Sequence, residues 1–438
     1  MTTTTDVTLA DLELFKNGAP WQVFADLRRD DPVHWNAEPE PNSGFWSVVR
    51  YHDIVDVLRN AELYSSQVGT ANLEELDTRQ MEIRRSILET DGTRHRALRK
   101  LLQPDFTPRA IAGYETFLRG ITASTLDRAF AKQEFDFVAE VAADFPIRVL
   151  AQLLDVPESD IPQLIKWGNK MVGNQDPEHA DVLAGSPESE QYRDLPFRSP
   201  AALEVFKYGY ELAWNRRGGT GTDLVSKVLN TPPVDGIPVD ARDFRNYFLL
   251  LVVAGNETTR HTITHTMNNL MANPDQLALL RERPELIPWA VEEFLRMASP
   301  VHHFRRTATR DAALNGQEIK AGDKVVVWFG SGNRDDAVFE DPDRFDVTVA
   351  WDEWHGGTAH ALLTVYQEGT DYHLAAYNGI TGGLHLATAG TTPVVQEVDL
   401  AFIYTSIMPE AMPGLTPGAF VLRAWQADVS GRPGPVPR

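Results

Sequence analysis

The strongest constraint in this chain is a single helical pattern across residues 240–272, roughly 50 Å long at 1.5 Å per residue. Asp240 stands where an N-cap belongs, Asp243 falls in the first turn, and Asn273-Pro274 ends the run. Between Tyr247 and Ala254 the pattern is apolar all round, as in a helix that crosses a domain interior. Covering such a helix takes several further layers, and 438 residues can supply them. The surroundings are helical as well. Residues 20–29 carry an apolar face at Trp21, Phe24 and Leu27, and residues 52–60, 109–130, 135–154 and 285–298 continue the helical pattern. Residues 44–50 alternate as a short strand, Leu314-Asn315-Gly316 carries a hairpin turn signal, and residues 324–329 read as a buried strand. Periodicity fails over 173–200, which is rich in Pro, Gly, Ser and acidic residues and reads as a long surface loop of the kind that forms lids. Residues 218–222 form a second flexible connection. No repeat is visible, and the fold class predicted is mainly α with small β-sheets.

Charge and cysteine content exclude whole classes of function. The chain has 41 basic and 62 acidic side chains, a net charge of -21. That balance argues against a nucleic-acid partner or broad binding to an anionic membrane. The start, MTTTTDVTLADLELF, lacks the basic residues and apolar run of a signal peptide. No window approaches the roughly 18 consecutive apolar residues of a membrane span. A cytoplasmic protein without a membrane span is expected. Cysteine is absent from the sequence, which excludes disulfides, zinc–thiolate sites, cysteine nucleophiles, protein-ligated iron–sulfur clusters and thiolate-bound haem. No metal-ligand set is assigned.

Several motifs can carry chemistry. Ala254-Gly255-Asn256-Glu257-Thr258-Thr259-Arg260 lies in the middle of the long helix. Gly there costs about 1 kcal/mol against Ala, and a Glu followed by Thr in an apolar interior is costly unless both are hydrogen-bonded. One reading is a proton-delivery pair, with the Thr258 hydroxyl recharged from the Glu257 carboxylate. The other is a helix kink with a back-bonded Thr and a Glu that reaches solvent. In Glu293-Phe294-Leu295-Arg296 the i, i+3 spacing puts carboxylate and guanidinium on one face, suited to bidentate pairing. His95 and Arg99, at i and i+4, offer two donors to a carboxylate or phosphate, or are simply surface residues. Arg306, then Asn333-Arg334-Asp335 and Pro342-Asp343-Arg344-Phe345 follow.

Taken in order and at these separations, the motifs resemble those of bacterial cytochrome P-450, the haem-thiolate monooxygenase family, over residues 10–347. The resemblance implies a triangular-prism fold and a haem cofactor. It implies hydroxylation of a lipophilic substrate (a steroid, terpenoid or fatty-acid-like molecule) with dioxygen and electrons from a ferredoxin-type partner; the oligomeric state is left open, with a monomer expected. Glu257 and Thr258 match the family's acid–alcohol pair, while His95, Arg99 and Arg306 match propionate-binding positions. Ala254, Gly255 and Val301 match the substrate pocket, and Glu293, Arg296 and Arg344 match a structural triad. The segment 173–200 matches the stretch between two lid helices. LLVVAGNETTR with Ala298-Ser299-Pro300-Val301 looks most like the steroid and branched-lipid hydroxylases.

The sequence departs from the family beyond residue 347. The glycine loop F-G-x-G-x-H-x-C-x-G, whose thiolate ligates iron and favours O–O cleavage, has no counterpart here. Gly356, Gly357 and His360 only echo it, with Leu362 near the ligand's place. The helix that follows the loop is missing too, and the region is rich in Gly and Thr and reads as β-rich or irregular. Residues 348–438 are read as a tail that is unassigned, unrelated to the family or damaged. His355, His360, His373 and His385 are the alternative axial ligands. As written, the chain is expected to be inactive as a monooxygenase. The competing reading is a non-catalytic remnant, or a haem-free protein that binds a hydrophobic ligand.

Overall fold

The structure, a computed structural model, describes residues 7–39 and 42–348, together with the backbone of four strands further on. His355, His360, Gly356 and Gly357 lie outside the described residues. Leu362, His373 and His385 fall on strands whose side chains are likewise not described.

Helix α1 (Trp21–Asp30) leads into β1 (Val33–Asn36) and β2 (Phe45–Val48), followed by α2 (Tyr51–Arg59) and β3 (Tyr64–Ser65). A helical series comes next: α3 (Thr78–Arg84), α4 (Gly92–Leu102), α5 (Pro108–Phe130), α6 (Asp144–Leu154), α7 (Ile161–Val172), α8 (Pro200–Arg216) and α9 (Leu224–Asn230). Then come α10 (Ala241–Ala254), α11 (Glu257–Ala272), α12 (Pro274–Glu282) and α13 (Ile287–Ala298). The chain continues through β4 (His303–Ala308), β5 (Ala312–Leu314), β6 (Gln317–Ile319), β7 (Lys324–Trp328) and α14 (Phe329–Gly332). Capping boxes start α3 (Asp77 with Gln80) and α10 (Asp240 with Asp243), satisfying N–H groups that a helix start leaves free. Residues 173–199 hold no α-helix, only 3-10 turns at Pro187–Tyr192 and Pro196–Arg198.

The long helix read from the sequence is two helices. Gly255 and Asn256 break it, and Thr258 Oγ1 donates back to the Ala254 carbonyl at 3.0 Å. Two weak helix formers coincide here, and α6 approaches closely. A Cβ on Gly255 would lie 2.9 Å from the Leu251 carbonyl oxygen and 3.3 Å from Leu150 Cδ1.

Strand β7 is buried at all five positions and lies at the centre of a sheet ordered β1-β2-β7-β4-β3. It runs parallel to β2 and antiparallel to β4. The predicted hairpin is β5–β6, with Leu314 opposite Gln317 and positive φ at Asn315 (47°) and Gly316 (83°), as a type I′ turn requires. The largest apolar cluster joins α4 and α6–α10. Two more clusters cover the sheet with α2 and α1, and a fourth joins α11–α13 with Phe345 and Val347.

The chain divides into two compact units, Met1–Asp335 with Asp343–Val347, and Asp336–Pro342 with Thr348–Arg438. The second contains β8 (Ala361–Gln367), β9 (His373–Asn378), β10 (Gly383–His385) and β11 (Phe420–Gln426), an antiparallel sheet ordered β10-β9-β8-β11. Among the described residues no helix is long and apolar enough to cross a membrane.

Candidate functional site

The break between α10 and α11 sets the site. It places Glu257 at the first turn of α11, buried at 4 % exposure, so this carboxylate does not reach solvent. Arg260 is ion-paired with it, and His261 Nε2 lies 3.5 Å from Glu257 Oε2. Neither pair is aligned as a hydrogen bond, and both carboxylate oxygens lack a protein donor. Asn256 beside it is fully buried with both amide atoms equally unmatched. Arg260 Nη1 reaches across to Asn169 Oδ1 on α7 at 2.8 Å. Gly168 permits this closeness, since a Cβ there would meet Asn256 Nδ2 at 3.2 Å. Thr258 is half-buried and spends its hydroxyl proton inside the helix, in the bond to Ala254.

On α4, burial and the adjacent Arg99 push the His95 imidazole below its ordinary value, with Asp91 opposing. Burial likewise lowers Arg306 on β4, and Asp91 and Glu89 oppose it. Asp91 therefore stands between the two elements. Its carboxylate is fixed by Ser65 Oγ at 2.5 Å, Ser66 N at 3.2 Å and Gln67 N at 3.1 Å. Arg99 is exposed and also acts on Tyr247, whose phenol is pushed up by burial and donates to the Leu98 carbonyl at 3.4 Å.

An apolar cavity of about 260 Å³ runs between α10 and α6. Ala254 and Gly255 line it with Leu250, Leu251, Tyr247 and Leu150, whereas Thr258, Val301, His95, Arg99 and Arg306 do not. His95, Arg99 and Arg306, matched to propionate positions, thus lie outside the apolar chamber that Ala254 and Gly255 line. Val301 is half-buried just ahead of β4.

The Glu293–Arg296 pair is fully built. Arg296 Nε donates to Glu293 Oε2 at 2.8 Å and Nη2 to Oε1 at 2.9 Å, in the buried interior of α13. Arg344 joins through its backbone, because its carbonyl accepts from Arg296 Nη2 at 3.0 Å. Its guanidinium points outward to Asp346 at 3.2 Å and is 62 % exposed, which corrects the expected three-side-chain triad. Arg296 already fills both carboxylate oxygens in plane, and Asp346 N takes a further site on Glu293 Oε1 at 3.0 Å. A second guanidinium would have little left to bind. Arg296 Nη1 completes the arrangement by donating to the Asn333 carbonyl at 2.9 Å.

Sequence reasoning passed over Asp91, Tyr247 and Asn256 as site residues. Asp91 had a visible signal, an acidic residue immediately before a helix with four cationic side chains, Arg94, Arg96, Arg99 and Lys100. Tyr247 and Asn256 had none beyond a polar atom inside an apolar run.

The haem that the resemblance implies can be set against these residues. His95, Arg99 and Arg306 provide donors for its carboxylates, and Leu250, Leu251 and Ala254 provide an apolar wall. The iron has no such match. With no cysteine in the sequence, no thiolate can reach it. The donor set fits the propionates and not the metal.

The cytochrome P-450 family profile matches residues 214–348. Linalool 8-monooxygenase of Pseudomonas putida is 37% identical over 353 residues, 78% of this chain and 82% of that protein. Steroid C26-monooxygenase of Rhodococcus jostii is 34% identical, covering 77% of this chain and 70% of its own length. Among solved structures, a Mycobacterium marinum cytochrome P-450 in complex with pseudoionone superposes with a TM-score of 0.68. It shares 34% identity over 76% of this chain and 80% of that one.

Proposed function

Because this chain belongs to the cytochrome P-450 family, whose cofactor is haem, we propose that residues 1–347 form a family domain for a lipophilic ligand and that the chain as written lacks monooxygenase turnover. Residues 348–438 are then an appended segment that does not supply the iron ligand. The observation that carries this reading is the zero cysteine count, together with a family match that ends at residue 348. Relatives named for linalool and for steroids support a terpenoid- or steroid-like ligand. The apolar chamber at Ala254 and Gly255 supports it too.

In this reading Glu257 and Thr258 are the acid–alcohol pair. Glu257 is held ready by Arg260, and Thr258 is available only when it releases the Ala254 carbonyl. His95, Arg99 and Arg306 hold haem carboxylates, while Glu293 and Arg296 fasten the chain segment that includes Arg344 and Asp346. Bound haem would supply dioxygen activation, and that chemistry needs a thiolate donor to the iron. The protein works in the cytoplasm in this reading, and a ferredoxin-type donor is the partner its active relatives' chemistry would call for.

A second reading, a haem-free binder of a hydrophobic ligand, is favoured by the apolar chamber, which at about 260 Å³ is small for a macrocycle (typical ligand pockets span roughly 300–1,000 Å³). The test is to incubate the full chain with haem, a ferredoxin and its reductase, and linalool or a sterol. No hydroxylated product is expected. Product formation above the level without protein overturns the claim of inactivity.

A further inference from the structure

The Asn315-Gly316 turn of the β5–β6 hairpin combines a reactive pair of residues with an unusual neighbour. An asparagine side-chain amide and the next backbone nitrogen can close a five-membered ring, and glycine in the second place has no Cβ to obstruct the closure. Two such pairs lie within the described residues, Asn17-Gly18 and Asn315-Gly316, and a third, Asn378-Gly379, falls partly outside them. Access does not separate the first two. All four residues are exposed, and a Cβ on either glycine would meet nothing within 4 Å. Hydrogen bonding does separate them. Gly18 N donates to the Phe15 carbonyl at 3.1 Å, whereas Gly316 N has no hydrogen-bond partner among the described residues. Asn315 also has a carboxylate against its amide. Its Nδ2 donates to Asp53 Oδ2, in the first turn of α2, at 2.9 Å. Asp53 is half-buried, and burial pushes its carboxyl up; the Asn315 bond and Arg50 oppose this, while Asp56 and Asp335 add to it.

We propose that Asn315-Gly316 is a self-modification site, at which the side-chain amide is lost as ammonia and Asp53 assists its departure. Gly316 N gives its proton to solvent and forms a bond to Asn315 Cγ. The Cγ–Nδ2 bond then breaks, and Nδ2 leaves as ammonia after taking one proton back from solvent. Asp53 Oδ2, already in contact with that nitrogen, stabilises the positive charge that gathers on it. Water opens the resulting succinimide. Opening at Cγ gives aspartate, and opening at the backbone carbonyl gives isoaspartate, with the chain running through Cβ and Cγ. The overall change is one water in and one ammonia out. Either product sets a new carboxylate beside Asp53 where a donor had been. In the isoaspartyl form the two-residue loop also gains a backbone carbon, which no longer fits the pairing of Leu314 with Gln317 and Ala312 with Ile319. Leu314 and Ile319 are buried in one cluster with Ile54 and Val57 of α2, so the packing loosens there.

The test is to age the full chain at mildly alkaline pH and to follow each Asn-Gly pair by peptide mapping, reading the mass gain of amide-to-acid conversion and the isoaspartate formed. Conversion at 315 should run about fivefold faster than at 17, the factor that corresponds to the one hydrogen bond on Gly18 N. Equal rates, or faster conversion at 17, overturn the site. In urea the two rates should converge, and a ratio that survives unfolding overturns the structural cause. Asp53→Asn should slow conversion at 315 about threefold and leave 17 unchanged. Should that variant fail to fold, Asp53→Ser, which keeps an oxygen in the first turn of α2, decides. A rate at 315 that stays the same or rises in the folded variant overturns the part given to Asp53. Hydrogen exchange then reads the consequence: in the separated isoaspartyl species, amides of 312–319 should exchange about tenfold faster, with α10 unchanged. Native exchange in 312–319 overturns the loosening.

Discussion

Helices α10 and α11 are joined by two residues and nearly equal in length, yet they live in opposite surroundings. Seven of the 14 residues of α10 are buried, against two of the 16 in α11, Glu257 and Leu270. Their sequences differ accordingly. α10 is built from Phe, Tyr, Leu and Val and lies in the largest apolar cluster, while α11 carries five threonines and two histidines. Among the described residues α11 packs chiefly against α13, the π-helical turn Val138–Ala142 and α12, with Leu270 in the cluster it shares with α12 and α13. The comparison separates two tasks. The half that encloses an apolar chamber is complete within the described residues. The half that bears Glu257 and Thr258 is mostly half-buried.

If this contrast is real, equal truncations should have unequal costs. Phe248→Ala in α10, at 2 % exposure, should destabilise by about 4 kcal/mol in urea unfolding. A similar cost for Met271→Ala in α11 would break the comparison. The next effect is at α13, where Glu293→Gln leaves Arg296 buried without its partner and should cost about 3 kcal/mol. α11 should lose hydrogen-exchange protection before α10 does, and simultaneous loss in both would show that they share one support.

Acid should act on the same side. α10 has no histidine, whereas His265 on α11 is pushed below its ordinary value by burial and then by His261 and Arg334, and His302 is lowered by burial and then by His265, His261 and Arg334. His303, tilted against Trp328 with ring centres 4.8 Å apart, is pushed down to about 4 by burial and His302. A depressed folded value means the unfolded chain binds the proton more tightly. The stabilisation is therefore complete above about pH 6.5 and is lost as pH falls toward 4. Unfolding free energy should drop by about 2 kcal/mol through His303 over that window. His303→Gln should remove that share, and an unchanged slope in the variant would contradict the assignment. The smallest effect is the outer reference itself: Met271→Ala, 68 % exposed, should change stability by less than about 0.5 kcal/mol.

Local patterns were readable from the sequence where the cause was local. The Asn315-Gly316 turn, the buried β7 strand and the Glu293–Arg296 pair each follow from residues within a few positions of one another. The break at Gly255-Asn256 was legible as weakness only, because its completion needs Leu150 from α6. Arg344 illustrates the limit of carrying a motif over. Its side-chain type predicted a guanidinium in the triad, but the contact is made by a carbonyl, which any residue possesses. Lys324, 1 % exposed in the middle of a Val-rich strand, gives no sign in sequence that Glu38 and Glu75 will meet it. Cavity membership was likewise illegible, since it depends on how α4 and β4 sit beside α10.

The central claim is that this chain has a cytochrome P-450 scaffold without the thiolate that makes the family's iron reactive. The most direct measurement is the absorption spectrum of the full chain incubated with haem, reduced, and exposed to carbon monoxide. The account predicts weak haem retention and no Soret band at the thiolate position. A thiolate-type band from protein of this sequence, its mass verified, would contradict it.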